Sequence, residues 1–175
     1  MRVLVTGGAG FLGSHLCEAL LVDFHEVCAI DDMFRGRKKN LESCKSSAAE
    51  IGVPFHLVMK DGAAPESYET ALKRLNGSVD LVYHLAAING TRWFNERPDL
   101  VARVNLSTLQ AALDFAVTNG ARFVFTSSPE AFGDQYEMPI ASNSDSHFKS
   151  CAEHQRHSYG ASKYLGELLI QHAVR

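Results

Sequence analysis

The first thirteen residues constrain this chain more than any other part of it. Arg2-Val3-Leu4-Val5-Thr6 is a short apolar and β-branched run, and Gly7-Gly8-Ala9-Gly10 follows it without a spacer. Phe11-Leu12-Gly13 then opens a stretch with apolar residues at helical spacing. A strand that turns directly into a helix needs glycine at defined places. Gly7 permits the sharp turn, Gly10 removes the Cβ that would hold an anion away from the backbone, and Gly13 lets the helix lie close to the sheet. The N–H groups at the helix start then face the anion, and the helix dipole favours its charge. Glycine is common in turns of every kind, but here strand, turn, helix and a second strand agree. The segment predicts a pyrophosphate site, and with it a dinucleotide.

The rest of the chain repeats the alternation. Near-continuous apolar runs at Arg2 to Thr6, Glu26 to Ile30, Phe55 to Met59, Leu81 to Leu85 and Phe123 to Ser127 predict five strands covered on both faces. Helical spacing is found over Phe11 to Leu21, Glu66 to Leu75, about Pro98 to Thr118 and Tyr159 to Val174, with a weaker helix between Arg37 and Gly52. Right-handed crossovers wind this order into an α/β doubly wound parallel sheet, the Rossmann arrangement, with ligands at the carboxyl ends of the strands. Residues 133 to 157 are polar and longer than an ordinary loop, and are expected to be a functional connection. No repeat or linker divides the 175 residues, so one nucleotide-binding domain is expected over 1–175.

Composition narrows the partners. A net charge of -3 gives no basic field for nucleic acid. No apolar run approaches the roughly 18–20 residues that span a bilayer. The chain opens on a strand without a leader pattern, so a cytoplasmic location is expected. Cys17, Cys28, Cys44 and Cys151 show no metal or redox spacing and are expected to be reduced, packed thiols, with no metal site. The basic run Arg35-Gly36-Arg37-Lys38-Lys39 is either a solvated loop or a phosphate-facing edge.

Asp31 stands at the end of the second strand, 18 residues after Gly13, where its carboxylate can accept from the adenosine ribose hydroxyls. That favours NAD. A 2′-phosphate would meet Asp31 and Asp32, so NADP is the disfavoured alternative, open only if Arg35, Arg37 and Lys38 neutralise it. Asp61 either accepts from the adenine amino group or simply forms the turn before Gly62.

Tyr159 and Lys163 stand four apart, on one helix face. A phenol with a pKa near 10 becomes a usable acid and base if a neighbouring ammonium and a positive nicotinamide lower that value. Thr126-Ser127-Ser128 closes the fifth strand, and Ser128 is the better placed hydroxyl for a substrate oxygen, against local backbone bonding as the plainer role. Asn105 either supports a water or the lysine, or is ordinary helix polarity.

Four segments in order, Thr6 to Gly13, His84-Leu85-Ala86-Ala87, Ser127-Ser128 with Ala131-Phe132-Gly133, and Tyr159-Gly160-Ala161-Ser162-Lys163, resemble the extended short-chain dehydrogenases/reductases, in particular the NAD-dependent sugar-nucleotide epimerases and dehydratases. The resemblance implies that Gly7, Gly10, Phe11, Leu12, Gly13, Asp31, Asp61, Leu85, Ala86, Ala87 and Lys163 line the NAD site. It makes Ser128, Tyr159 and Lys163 the catalytic set. It also implies transient oxidation of a nucleotide sugar to a keto intermediate, with the hydride then returned, and a homodimer.

Glu130 falls two residues after Ser128, where dehydratases and decarboxylases of this kind place a catalytic glutamate and where some epimerases also have one. Pro129 stands where dehydratases commonly carry an aspartate, which weighs against simple dehydration. Relatives of this kind also continue into further strands and a small domain that grips the nucleotide sugar. The chain is therefore expected to be truncated before the last strands and the substrate domain, and poorly active alone. Two other functions use the same residues, an NAD(P)-dependent reductase of a hydroxysteroid or other small carbonyl compound, and a non-catalytic NAD-binding module.

Overall fold

Among the described residues, five parallel strands form one sheet, β1 (Arg2–Thr6), β2 (Glu26–Ile30), β3 (Phe55–Val58), β4 (Leu81–His84) and β5 (Arg122–Phe125), in the order β3-β2-β1-β4-β5. The structure is a computed structural model describing residues 1–136, 138–152 and 157–173. Helices α1 (Phe11–Val22), α2 (Glu42–Ile51), α3 (Pro65–Arg74), α4 (Thr91–Glu96), α5 (Pro98–Thr118) and α6 (His157–Ala173) connect or follow the strands, with 3-10 turns at Lys38–Leu41 and Pro129–Phe132.

Burial explains why these strands read as unbroken apolar runs. Side chains alternate faces along a strand, and in β1 both faces are covered. Val3 and Val5 join Val27, Ala29, Leu21 and Leu41 in one core cluster, while Leu4 joins Cys28, Ile30, Tyr68 and Val82 in another. In register, Val3 lies opposite Val27 on one side and Leu81 on the other, and Thr6 lies opposite Ile30 and His84. The strand order reverses direction at β1, so the carboxyl ends of β1 and β4 form the crevice where such sheets take ligands.

Two compact units divide the chain, Met1–Ala86 with Thr108–Thr126, and Ala87–Ser107 with Ser127–Arg175. The first holds the sheet. The second has a small core of Ile88, Phe94, Val101 and Tyr159, with Trp93, Leu100 and Val104 packed on it.

Several boundaries differ from the sequence expectation. β5 stops at Phe125, short of Ser127 and Ser128. Thr126 still donates to the His84 carbonyl through its N–H and its hydroxyl, but Pro129 has no N–H for a ladder. Ser128 instead takes an extended conformation and caps the 3-10 turn that Pro129 begins, accepting the Glu130 N–H. α4 was not expected; it is a six-residue helix bracketed by Gly90 at φ 122° and the break before Pro98. The polar connection contains an isolated bridge between Gly133 and His147, and its last residue, His157, begins α6. Residues 137 and 153–156 of that connection, and Val174 at the expected end of the last helix, lie outside the described residues. Cys17, Cys28 and Cys44 are buried thiols, and burial pushes Cys28 up to about 12, whereas Cys151 is exposed rather than packed. Among the described residues, no helix is long and apolar enough to cross a membrane.

The tightest steric demand falls on the glycines. A Cβ on Gly13 would overlap the Gly7 carbonyl oxygen and come within 2.8 Å of Gly8 Cα. Both neighbours are backbone and cannot rotate away. Gly13→Ala is expected to lower stability by about 1–3 kcal/mol, read as a lower urea midpoint; an unchanged midpoint would show that the helix start can shift without cost.

Candidate functional site

In the sheet unit, Gly7 has φ 70°, a conformation that side chains rarely adopt, and a Cβ there would come within 2.8 Å of the Ala86 N. This close approach seats the turn on the end of β4. Leu85 N–H donates to the Thr6 carbonyl at 3.2 Å, and Ala86 N–H donates to Thr6 Oγ1 at 3.3 Å. Thr6 Oγ1 also shares a hydrogen bond of 2.8 Å with Nδ1 of His84, which is buried and stacked near Phe123 and Phe125. Thr6 and His84 were not singled out from the sequence as orienting residues, since a strand-end threonine and histidine have no signature of their own.

Gly10 is different in kind. A Cβ there would meet only the Gly7 carbonyl oxygen, at 3.2 Å, so the outer side of the turn is open. Gly10 is the N-cap of α1, no side chain caps that helix, and its first turn carries no acidic residue. Phe11 and Leu12 are exposed there. The first N–H groups of an α-helix have no intrahelical acceptor, so this end offers donors and a positive dipole end to an anion. The arrangement fits the pyrophosphate of NAD.

Asp31 is 8% exposed, and its carboxylate accepts Ala9 N–H through Oδ2 and Met33 N–H through Oδ1, both at 2.9 Å. It braces the glycine turn. Burial raises its pKa, and the two backbone bonds oppose that rise. Gly36 packs against it, since a Cβ there would meet Asp31 Oδ1 at 2.5 Å and Ala9 Cβ at 2.8 Å. Arg37 N–H and Asn40 Nδ2 both donate to the Ala9 carbonyl. The basic run is thus pinned to the glycine turn by its backbone, a role that only the glycine inside it could have signalled. Asp61 caps its own turn, with Oδ1 accepting Ala63 N–H at 2.8 Å.

The second unit brings together Ser128, Glu130, Tyr159, Lys163 and Asn105. Tyr159 is 8% and Lys163 4% exposed, with the lysine Nζ 5.6 Å from the phenol ring centroid. Phe94 stacks on the same ring at 5.0 Å. The Ser128 hydroxyl hydrogen-bonds the phenol and pulls its pKa down. Burial outweighs it, and the Glu130 carboxylate adds to the rise, so the phenol lies above its ordinary value. Lys163 moves the other way, from an ordinary 10.5 to about 8, because burial disfavours its charge. Asn105 is buried and bonds to Ile88 and to α6. Its Oδ1 accepts Ile88 N–H at 2.7 Å, and its Nδ2 donates to the Ile88 carbonyl and to Ser162 Oγ. Ser162 Oγ in turn donates to the Tyr159 carbonyl at 2.7 Å, so Asn105 fixes the helix turn that carries both catalytic candidates. Ala87 begins this unit.

Because Lys163 is lowered on folding, the cost of burying its charge is fully present below about pH 8 and is relieved as pH rises toward 10.5. Lys163→Met is expected to gain about 2–3 kcal/mol at neutral pH and to lose the rise in stability across that alkaline window. Denaturant unfolding over the pH range checks this, and a variant less stable than the parent at neutral pH would contradict it.

Comparison with known proteins agrees with this geometry. The sequence model described as the NAD dependent epimerase/dehydratase family matches residues 3–175. UDP-glucuronic acid decarboxylase 1 of Arabidopsis thaliana is 36% identical over 139 residues, covering 79% of this chain and 29% of that protein. UDP-N-acetyl-alpha-D-glucosaminuronate decarboxylase of Bacillus cytotoxicus is 30% identical over 168 residues, covering 96% of this chain and 48% of that protein. Among solved structures, the UDP-glucose 4-epimerase of Thermus thermophilus in complex with NAD superposes with a TM-score of 0.76 at 31% identity, over 98% of this chain and 50% of that one. The chain thus spans at most about half the length of these relatives. With a family match over nearly its whole length and the strand order and glycine turn that such a match requires, the chain belongs to the NAD-dependent epimerase/dehydratase family.

Proposed function

We propose that this chain is the NAD-holding and proton-transferring part of an enzyme that acts on a nucleotide sugar by transient oxidation to a keto intermediate, and that its substrate is a UDP-uronic acid. The observation that carries the reading is the grouping of half-buried Ser128 with buried Tyr159 and Lys163, in which the serine hydroxyl already hydrogen-bonds the phenol. Bound NAD supplies a reversible hydride acceptor, and the side chains supply the proton chemistry. Tyr159 gives and takes the proton of the sugar hydroxyl, the Ser128 hydroxyl holds that oxygen by a hydrogen bond, and Lys163 supports the charge that develops on the phenol. Phe94 and the burial of the ring keep water from the phenol.

Decarboxylation is favoured over simple epimerisation by the two relatives above, which are named as decarboxylases of UDP-uronic acids, and Glu130, in the turn that Ser128 caps, acts electrostatically on Tyr159. A β-keto acid, formed by oxidation next to the carboxylated carbon, loses CO2 readily, and a carboxyl group beside the phenol can manage the accompanying proton. The buried carboxylate of Asp31, already engaged with backbone donors, supports NAD over NADP, because a 2′-phosphate would be repelled there.

Incubation with UDP-glucuronic acid and a catalytic amount of NAD is expected to release CO2 and a UDP-pentose without net NADH. Tyr159→Phe is expected to lower that rate by about a hundredfold or more with NAD affinity retained. Stoichiometric consumption of added NAD(P)H by a simple carbonyl compound, or full activity of Tyr159→Phe, would overturn the proposal.

A further inference from the structure

The polar connection after Gly133 holds a charged cluster that the proposed chemistry does not use. Asp134 Oδ2 lies 3.3 Å from Lys149 Nζ and 3.7 Å from Nε2 of His157, the first residue of α6. That oxygen is buried although the residue is only partly so. The side chain is set by its backbone. Asp134 N–H donates to the His147 carbonyl at 2.8 Å, His147 N–H donates to the Phe132 carbonyl at 2.9 Å, and Gly133 bridges His147. Gln135 Nε2 ties the same loop to the carbonyls of Phe132 and Asp145.

This cluster joins two pieces that must hold a fixed distance. On one side is the 3-10 turn Pro129–Phe132, capped by Ser128 and carrying Glu130. On the other is the first turn of α6, where Tyr159 stands two residues after His157. The two approach so closely that a Cβ on Gly160 would overlap the Glu130 carbonyl oxygen. Phe148 packs edge-on against the His157 ring at 5.3 Å and lies 6.1 Å from Tyr164. The glycine permits the approach but does not hold it. Across the same seam, Asp134 Oδ2 faces His157 Nε2 at 3.7 Å.

We infer that Asp134 is a positioning residue, whose carboxylate clasps Lys149 and His157 so that Ser128 stays within hydrogen-bond reach of the Tyr159 phenol. The inference rests on the proposed roles of Ser128 and Tyr159, but it concerns a contact that exists without substrate or cofactor. Displacement of a reacting group by about 1 Å costs on the order of a hundredfold in rate, so a clasp at this seam governs turnover without touching the reacting atoms.

Tyrosine labelled with carbon-13 at Cζ reports the hydrogen bond directly, and the Tyr159 resonance is assigned by its loss in Tyr159→Phe. Ser128→Ala, which removes the bond, sets the full displacement of that resonance. Asp134→Ala is expected to reproduce at least half of it at neutral pH, with the fold retained by circular dichroism. Asp134→Asn, which keeps the shape and loses the charge, is expected to give a smaller displacement in the same direction, and serves as the test if Asp134→Ala does not fold. A Tyr159 resonance unmoved in the folded Asp134 variants, or unmoved in Ser128→Ala, overturns the inference. Absence of turnover with every nucleotide sugar would count against the proposed function and leaves this measurement intact.

Discussion

The structure turns on a backbone contact that admits no side chain. At the end of β1 the chain reverses at Gly7, whose position against the Ala86 N on one side, and whose carbonyl beneath Gly13 on the other, leaves no space for a Cβ. One such contact fixes three things at once: where β1 ends, where α1 begins, and how the turn seats on the end of β4. The sheet order then puts that turn at the point of reversal, with the start of α1 left without a side-chain cap. Asp31 closes the turn from β2 by accepting Ala9 N–H, and Gly36 lets the following loop lie directly on that carboxylate.

Burial plays the corresponding role for the proton-transfer residues. It raises Tyr159 and lowers Lys163, moving both toward their neutral forms, so the lysine releases its proton before the phenol does. In the chain by itself Tyr159 is therefore a proton donor first. The Ser128 hydrogen bond opposes the rise at Tyr159 and so favours the phenolate.

How much of this the sequence disclosed depends on the range of the interaction. The strands were legible because residues such as Val3, Leu4 and Val5 are buried on alternating faces, and an unbroken apolar run is what two covered faces require. The glycine turn was legible because its demands are local and fall on neighbouring positions. The Ser128 cap was missed as such, because a serine at an apparent strand end reads the same until Pro129 is seen to stop the ladder. The rise in the Tyr159 pKa was also not legible: spacing placed a lysine one turn away, but only the packing of Phe94 and the residues around it shows how dry the ring is. Long-range pairs such as Thr6 with His84, Asn105 with Ser162, and Asp134 with His157 join positions that no local pattern links.

The central claim is that the glycine turn and Asp31 hold NAD. Titration calorimetry of the chain with NAD and with NADP tests it most directly. The account predicts one saturable site for NAD, binding of NADP weaker by about tenfold or more, and loss of the NAD signal in Gly10→Ala, where a Cβ would stand in the open face of the turn. No heat of binding with either dinucleotide, or equal affinity for both, would contradict it.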